Sequence, residues 1–273
     1  MLEWELLTEL IGYWVDMNDP YITYDNRYIE TLWHLLKEIY KKGYLYKGYS
    51  IQPYSPAAGT GLSTHELNQP GCYRDVKDTS CVVQFKVVEN SYSAPFIEGD
   101  IPLYILAWTT TPWTLPSNTA LCVGPAIEYV IVSSFNPYNA QKANYLIAEE
   151  LVGAHFNPKG AEAPMEYSAG DKVLPFRVVR EGIKGSELDE IEYEQLIPWV
   201  NPGEGAFRVI LGDFVSTSDG TGIVHIAPTF GADDQRVAQR NSVPPLMVKD
   251  SDGEMQALVD RRGKFYEIEE LDE

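Results

Sequence analysis

Apolar residues recur at intervals of three and four near the start of the chain. Trp4, Leu7, Leu10 and Trp14 follow this spacing and predict an amphipathic helix over residues 1–14. The same spacing predicts a second helix over residues 27–42, capped by Asp25 or Asn26 and ended by Gly43. Large aromatic residues in both helices favour a surface that packs against something absent from this chain. Core packing within the domain is the alternative.

Beyond residue 43 the pattern changes to alternation and short apolar runs. Residues 81–88 alternate so that Cys81, Val83, Phe85 and Val87 form one apolar face, which predicts a strand. Similar segments predict further strands at 44–55, 103–108, 120–123, 129–132, 206–211, 222–226 and 246–248, and less clearly at 144–152 and 193–196. Short strands separated by Pro and Gly, with few helices, indicate a mixed α/β, β-rich fold with a barrel-like core and flanking helices.

The stretch 220–234 has the pattern of a strand, a loop and the start of a helix. His225 falls near the end of the strand, and Asp233 and Asp234 fall in the first helical turn, where backbone N–H groups favour negative charge. One titratable ring and two carboxylates therefore converge on one loop. A half-buried, fully bonded His and two acidic residues that only complement the helix dipole are the alternative interpretation.

A second polar stretch, 108–121, has the sequence W-T-T-T-P-W-T-L-P-S-N-T-A-L. Three consecutive threonines leave a predicted strand beside two indoles, and prolines restrict the backbone. Fixed hydroxyl groups of this kind suit ribose, carbonyl or ammonium groups of a ligand. The alternative is a threonine-rich edge strand.

The two stretches together resemble the editing domain of isoleucyl-tRNA synthetases, which is inserted in the catalytic domain as a connective peptide. The runs that carry the resemblance are W-T-T-T-P-W-T-L-P-S-N and G-T-G-I-V-H-x-A-P-x-x-G-x-D-D. Valyl and leucyl enzymes have T-T-R-P-[ED]-T here, so Thr111 and Trp113 favour the isoleucyl branch. The resemblance covers nearly the whole chain and is weakest over 135–190.

The resemblance implies four segments. Residues 1–48 would be a helical connection from the absent catalytic domain, 49–80 a small zinc-ribbon-like loop region, 81–248 the barrel-like editing domain, and 249–273 a return segment. Many family members have C-P-x-C where this chain has S-P-A-A at 55–58. Two thiolate ligands are therefore missing, and since structural zinc needs four nitrogen or sulfur ligands, we expect no metal and only structural roles for His65 and Glu66.

The resemblance also implies a reaction, hydrolysis of the terminal ester of valine mischarged on isoleucine tRNA. Asp234 would accept the α-ammonium group, Asp233 would be its capping neighbour, and His225 would line the pocket, limit the side chain and bond the substrate or water. The expected catalytic residues are Thr109, Thr110, Thr111, His225 and Asp234, and the expected substrate-binding residues are Trp108, Asn118, His225 and Asp234. The general base stays open between His225 and a water oriented by threonine hydroxyls and the ribose.

Charge and composition limit what this chain does by itself. With 21 basic and 40 acidic residues its net charge is −19, the wrong sign for a free-standing nucleic-acid binder. We therefore expect other parts of a larger synthetase to hold the tRNA and deliver its valine-charged 3′ end. No apolar run is long enough to span a membrane and no basic-then-apolar leader pattern is seen, so neither membrane insertion nor secretion is expected. Three cysteines without CxxC spacing suit a reducing cytoplasm.

Motifs for other chemistry are missing from the sequence. The H-x-G-H and K-M-S-K-S signatures of a synthetase ATP site are absent, as are phosphate-binding and dinucleotide-binding glycine patterns. No cofactor is expected in this chain, whereas the parent enzyme would use ATP and Mg²⁺. Two further readings stay open: a module that only binds the aminoacylated tRNA end, and valyl-type editing of threonyl-tRNA.

Overall fold

The computed structural model describes residues 2–48, 50–250 and 253–267, and the chain divides into two compact units, Met1–Ser50 and Ile51–Glu273. The predicted boundaries at 48/49, 80/81 and 248/249 stay predictions. The end of the predicted return segment, 268–273, lies outside the described residues, as do 251 and 252. In the part of the chain that is described, no helix is both long and apolar enough to cross a membrane.

The first unit contains the two predicted helices, α1 (Leu2–Leu10) and α2 (Asn26–Lys41). Asp25 is the N-cap of α2, where its Oδ1 accepts a hydrogen bond from the Arg27 amide at 2.8 Å. Most large apolar side chains of both helices are exposed, among them Trp4 (74%) and Trp33 (67%). Trp14, predicted in the first helix, lies beyond the end of α1 and is 98% exposed. Packing within the first unit therefore leaves most of them uncovered, which favours the surface interpretation over core packing.

The second unit begins with a small ribbon, β1 (Tyr54–Ser55) and β2 (Thr60–Gly61), followed by the short helix α3 (Thr64–Leu67). Of the strands predicted over 44–55 only β1 is found, and the prediction is wrong for the other described residues, 44–48 and 50–53, which pair with no strand. Glu66 closes a capping box with Ser63 at the start of α3. The hydrogen bonds that the Glu66 carboxylate accepts from Ser63 lower its pKa.

One curled eight-stranded sheet forms the body of this unit. Its strands are β3 (Cys81–Lys86), β4 (Leu103–Thr109), β5 (Ala120–Val123), β6 (Glu128–Phe135), β7 (Lys142–Ala148), β8 (Arg177–Lys184), β9 (Arg208–Leu211) and β10 (Ile223–Ile226). The order is β8-β6-β7-β4-β10-β5-β9, and β3 pairs with β4. Short helices α4 (Val152–His155) and α5 (Lys159–Glu162), the longer α6 (Ala232–Arg240) and a hairpin of β11 (Val248–Lys249) and β12 (Met255–Gln256) complete the fold. The expected β-rich α/β architecture is confirmed.

Two details of the sheet differ from expectation. β8 was not predicted, because its sequence is charged and most of its side chains are exposed, so no apolar alternation marks it. It forms by pairing antiparallel with β6 at the sheet edge. The predicted strand at 193–196 is wrong: Tyr193 makes only an isolated bridge to Val87, since no continuous ladder follows it.

The sheet topology brings two loops to one edge. β4 and β10 run parallel, with Val224 opposite Trp108, so both strands end on the same side of the sheet. β10 also pairs antiparallel with β5 over 120–123. The threonine-rich stretch after β4 and the loop before α6 therefore meet, although more than 100 residues separate them in sequence.

Gly222 holds the entry to β10 in a conformation that few other residues adopt. Its φ is +71°, an added Cβ would lie 2.4 Å from the Ala148 Cβ, and its carbonyl accepts a hydrogen bond from the buried Tyr129 hydroxyl at 2.7 Å. The close approach to Ala148 and the hydrogen bond from Tyr129 therefore both fix the turn into β10.

Replacing Gly222 by alanine is expected to destabilise the fold by roughly 2–4 kcal/mol, because the change adds both left-handed strain and a steric overlap. Gly99→Ala is the matched control, since Gly99 also has positive φ (+59°) but nothing within 4 Å of an added Cβ. Gly99→Ala should lose only the smaller part of this free energy, the part that comes from left-handed backbone strain. Urea unfolding of both variants measures the difference, and equal losses would contradict the steric explanation.

Candidate functional site

A cavity of about 400 Å³ opens where the two loops meet. Six of the seven side chains expected at a site line it: Trp108, Thr109, Thr110, Thr111, His225 and Asp234. The seventh, Asn118, lies behind His225. Cavities of a few hundred cubic ångströms are typical of small-ligand sites.

His225 lies on β10 with its ring in the cavity wall, and only 7% of the residue is exposed. Its Nε2 is 2.8 Å from Thr114 Oγ1 and its Nδ1 is 3.0 Å from the amide nitrogen of Asn118. Burial lowers the pKa of this imidazole to about 4. The ring is therefore neutral near pH 7, and both of its nitrogens are bonded to protein.

Asn118 supports His225 from the buried side. Its amide nitrogen donates to the Ala120 carbonyl at 2.8 Å as well as to the imidazole, and its Oδ1 accepts a hydrogen bond from the Tyr193 hydroxyl at 2.6 Å. Asn118 does not line the cavity. It is placed to orient the imidazole rather than to touch a ligand.

The threonine loop is folded by its own hydroxyl groups. Thr109 is buried, and its Oγ1 accepts the Thr111 amide at 3.0 Å. The Thr114 hydroxyl donates to the Thr111 carbonyl at 2.8 Å. Thr110 and Thr111 remain exposed on the cavity. These turns fix the backbone so that the hydroxyls of residues 109–111 face one space.

Asp234 and Asp233 diverge, as expected for adjacent residues of a helix. Asp234 is half-buried and lines the cavity, where its Oδ2 accepts the Ala227 amide at 2.9 Å. Desolvation by burial raises the pKa of this carboxyl, while that hydrogen bond lowers it. Asp233 is exposed and pairs with Arg236 at 3.2 Å. Of these two neighbours, only Asp234 lines the cavity.

Gly231, the N-cap of α6, makes room for the Asp234 side chain. A Cβ added at Gly231 would lie 2.8 Å from Asp234 Cγ. A larger residue at this cap would therefore push the carboxylate aside. Gly231 thereby allows the Asp234 carboxyl group to keep its position at the cavity.

Several lining residues were not identified from the sequence. Trp113 and Phe230 pack edge to face with centroids 5.4 Å apart on the cavity rim, and Phe214 also lines it. Thr114 lies within the threonine-rich stretch, three residues after Thr111, but only its contact across 111 residues with His225 marks it as important. Tyr193 gives no sequence signal, because its role depends entirely on a contact made by folding.

The charge of the cavity lining is negative. Among the residues that the structure describes, Asp234 and Asp219 are its ionisable acids, and no Lys or Arg lines it. Such a cavity suits a cationic group better than a phosphate. Within the described residues no group of three or more His, Cys, Asp or Glu side chains is arranged to hold a metal ion, and Cys72, Cys81 and Cys122 are free thiols.

Comparison with known proteins gives a consistent set of relatives. The family model for class I tRNA synthetases (I, L, M and V) matches residues 3–245. The isoleucine–tRNA ligases of Bacteroides fragilis and Porphyromonas gingivalis are 66% and 64% identical over 99% of this chain, and that of Clostridium tetani is 40% identical over 98%. The chain spans about a quarter of the length of these relatives, 24%, 24% and 21%.

Two solved structures align with part of this chain. GlLeuRS-CP1 aligns with a TM-score of 0.45 and 16% identity over 65% of this chain and 74% of that one. The editing domain of the Plasmodium knowlesi cytosolic leucyl-tRNA synthetase aligns with a TM-score of 0.43 and 15% identity, covering 60% and 64% of the two chains.

Proposed function

We propose, for a chain that belongs to the class I tRNA synthetase family, that its cavity is the editing site of an isoleucyl-tRNA synthetase and hydrolyses the ester of valine mischarged on isoleucine tRNA. The observation that carries the proposal is the meeting of three threonine hydroxyls, a neutral His225 and the Asp234 carboxylate around one cavity. These groups match the parts of an aminoacyl ester: an ammonium group, a carbonyl and a ribose.

Asp234 binds the α-ammonium group of the amino acid in this proposal. Its carboxyl group is half-buried, and no Lys or Arg lines the cavity to compensate its charge. An incoming ammonium group supplies that compensation, which favours the ionised carboxylate and forms a charge-assisted hydrogen bond. The contact also fixes where the ester carbonyl lies relative to the threonine loop.

The threonine hydroxyls orient the ester and the attacking water. The water oxygen bonds to the ester carbonyl carbon, the bond from that carbon to the ribose oxygen breaks, and the water proton passes to the leaving ribose oxygen. His225 is poorly suited as a general base, since its pKa of about 4 leaves it with little affinity for a proton and its nitrogens are occupied. Of the two possibilities for water activation, hydroxyl and ribose orientation is the one that the geometry favours.

There is a physical reason why a synthetase needs a second site that removes valine. One methylene group in an apolar pocket discriminates by only about 1–3 kcal/mol, a general figure for which isoleucine–tRNA ligases are the standard example. A hydrolytic cavity that accepts valine and excludes the larger isoleucine removes the remaining errors. The rigid wall formed by His225 limits the side chain in this proposal, because hydrogen bonds on both ring nitrogens hold it in place.

The partners of the chain are the 3′ end of isoleucine tRNA carrying valine and the rest of a synthetase. The net charge of −19 disfavours independent capture of tRNA, so the proposal assigns that task to the remaining part of the parent. The exposed apolar faces of α1 and α2 are the surfaces proposed to contact that part. ATP and Mg²⁺ belong to the parent's synthetic site, and the cytoplasm is the proposed location.

The full-length parent synthetase is expected to hydrolyse valyl-tRNA(Ile) at least roughly tenfold faster than isoleucyl-tRNA(Ile), the lower limit of discrimination by one methylene group. Release of labelled amino acid from the two charged tRNAs and from threonyl-tRNA(Ile) measures this directly. Threonyl-tRNA hydrolysed faster than valyl-tRNA would support valyl-type editing instead. Binding of a valyl-adenosine analogue without hydrolysis of any of the three esters would indicate a module that only binds.

A further inference from the structure

A continuous chain of hydrogen bonds runs from the protein interior to the threonine loop. It begins at Tyr193, which is 2% exposed, and passes through Asn118, His225 and Thr114 to the Thr111 carbonyl. The four distances are 2.6, 3.0, 2.8 and 2.8 Å. These side chains come from three segments that are far apart in sequence.

Two groups at the buried end set the direction of every bond in this chain: the Tyr193 hydroxyl, which donates, and the Ala120 carbonyl, which can only accept. Burial holds the pKa of the Tyr193 phenol well above its ordinary value, so its hydroxyl keeps its proton and donates to Asn118 Oδ1. The opposite side of that amide, the NH₂ group, then faces His225 Nδ1 and the Ala120 carbonyl, and it donates to both. His225 Nδ1 must accept, so the neutral ring carries its proton on Nε2.

The Nε2 proton in turn sets the Thr114 hydroxyl. Thr114 Oγ1 accepts from His225 Nε2–H, and its own single proton goes to the Thr111 carbonyl. Thr111 is exposed on the cavity, next to the hydroxyl of Thr109. The Tyr193 hydroxyl and the Ala120 carbonyl together therefore determine which way a hydrogen bond points at the cavity wall.

We propose that Tyr193 is a positioning residue for ester hydrolysis: its hydroxyl anchors the Asn118 amide that keeps His225 in the Nε2–H tautomer, and it thereby holds the threonine loop in its productive geometry. The kinetic part of this inference rests on the proposed function, whereas the tautomer part does not. Without the phenolic donor, the buried Asn118 oxygen has no partner, and the amide loses the anchor that holds its NH₂ group against Nδ1. The ring can then carry its proton on Nδ1, in which case Nε2 accepts from Thr114 and the Thr111 carbonyl loses its donor.

The contacts of the Tyr193 ring allow the hydroxyl to be tested separately from packing. The ring lies edge to face against Phe85 at 5.2 Å and Phe207 at 6.1 Å, and these contacts survive in Tyr193→Phe. Tyr145→Phe is the matched control, since Tyr145 is also buried but has no hydrogen bond to this chain of residues. Both variants lose one buried phenolic oxygen, and only one of them touches Asn118.

The experiment records the ¹⁵N signals of the imidazole rings in this chain, which has only four histidines. In the unchanged protein, Nδ1 of His225 should give the signal of an unprotonated nitrogen and Nε2 that of a protonated one. Tyr193→Phe should shift both toward each other or exchange them, with the other three rings unchanged. Tyr145→Phe should leave all four rings as they are.

Hydrolysis by the full-length parent provides the second readout. Tyr193→Phe is expected to lower kcat for valyl-tRNA(Ile) about tenfold with little change in KM, since one oriented hydrogen bond is lost in the transition state. Unchanged His225 signals, or shifted signals with unchanged kcat, would overturn the proposal. If the unchanged parent hydrolyses no valyl ester, the proposed function fails, while the ring signals still decide the tautomer.

Discussion

Asp234→Asn is expected to weaken binding of a non-hydrolysable valyl-adenosine analogue by roughly 100-fold. Removing the charged partner of a desolvated ammonium group costs about 2–5 kcal/mol, and 1.4 kcal/mol corresponds to a factor of ten. Asparagine keeps an oxygen that can accept the Ala227 amide, so the loop before α6 should retain its shape. Calorimetric titration of this chain with the analogue measures the effect.

The neighbouring carboxylate provides the control for this prediction. Asp233→Asn changes the net charge by the same amount in the same helical turn, but Asp233 is exposed and paired with Arg236, so the affinity should change by less than about twofold. An analogue without the α-amino group should bind the original chain and the Asp234→Asn variant equally. Equal losses in the two variants would mean that general charge, not a contact at Asp234, drives binding.

Acidification should destabilise the second unit through His225. Its folded-state pKa is about 4 against about 6.5 in the unfolded chain, so between these values only the unfolded state takes up the proton. The neutral imidazole makes its full contribution to the free energy of unfolding above pH 6.5. This contribution is lost as the pH falls toward 4, and below pH 4 the group causes no further change. A difference of this size corresponds to roughly 3 kcal/mol in the free energy of unfolding.

A variant without the imidazole isolates this contribution from the carboxylates. Asp234 has a raised pKa and acts in the opposite direction, so the total pH dependence mixes several groups. His225→Gln should lack the loss between pH 6.5 and 4 that the unchanged chain shows. His65→Gln, which alters an exposed ring in the same unit, should keep it. Urea unfolding at several pH values gives the slopes, and identical slopes in all three proteins would contradict a neutral, buried His225.

Local sequence patterns predicted the parts of the site that lie on single elements. Alternating apolar residues predicted β3, and a short apolar run predicted β5. Gly231 before Asp233 and Asp234 predicted the start of α6. Six of the seven expected site residues line one cavity, and each lies at a strand end, in a loop or at a helix start that its local sequence specifies. Their catalytic and binding roles remain predictions for the experiments above.

Contacts between distant segments were beyond what local patterns can show. The parallel pairing of β4 with β10, which joins the two halves of the site, leaves no periodicity in the sequence. Tyr193 looked like part of a strand, whereas its importance lies in one hydrogen bond to Asn118. β8 escaped notice for a related reason, since an exposed edge strand gains its stability from pairing rather than from an apolar face.

Hydrolysis of valyl-tRNA(Ile) by the full-length parent, measured in parallel with the Asp234→Asn and Asp233→Asn variants, tests the central claim most directly. The proposed site predicts that the unchanged enzyme and Asp233→Asn release valine at similar rates, while Asp234→Asn is slower by roughly 100-fold or more. Full activity in Asp234→Asn would contradict the claim that this cavity holds the ester that is hydrolysed.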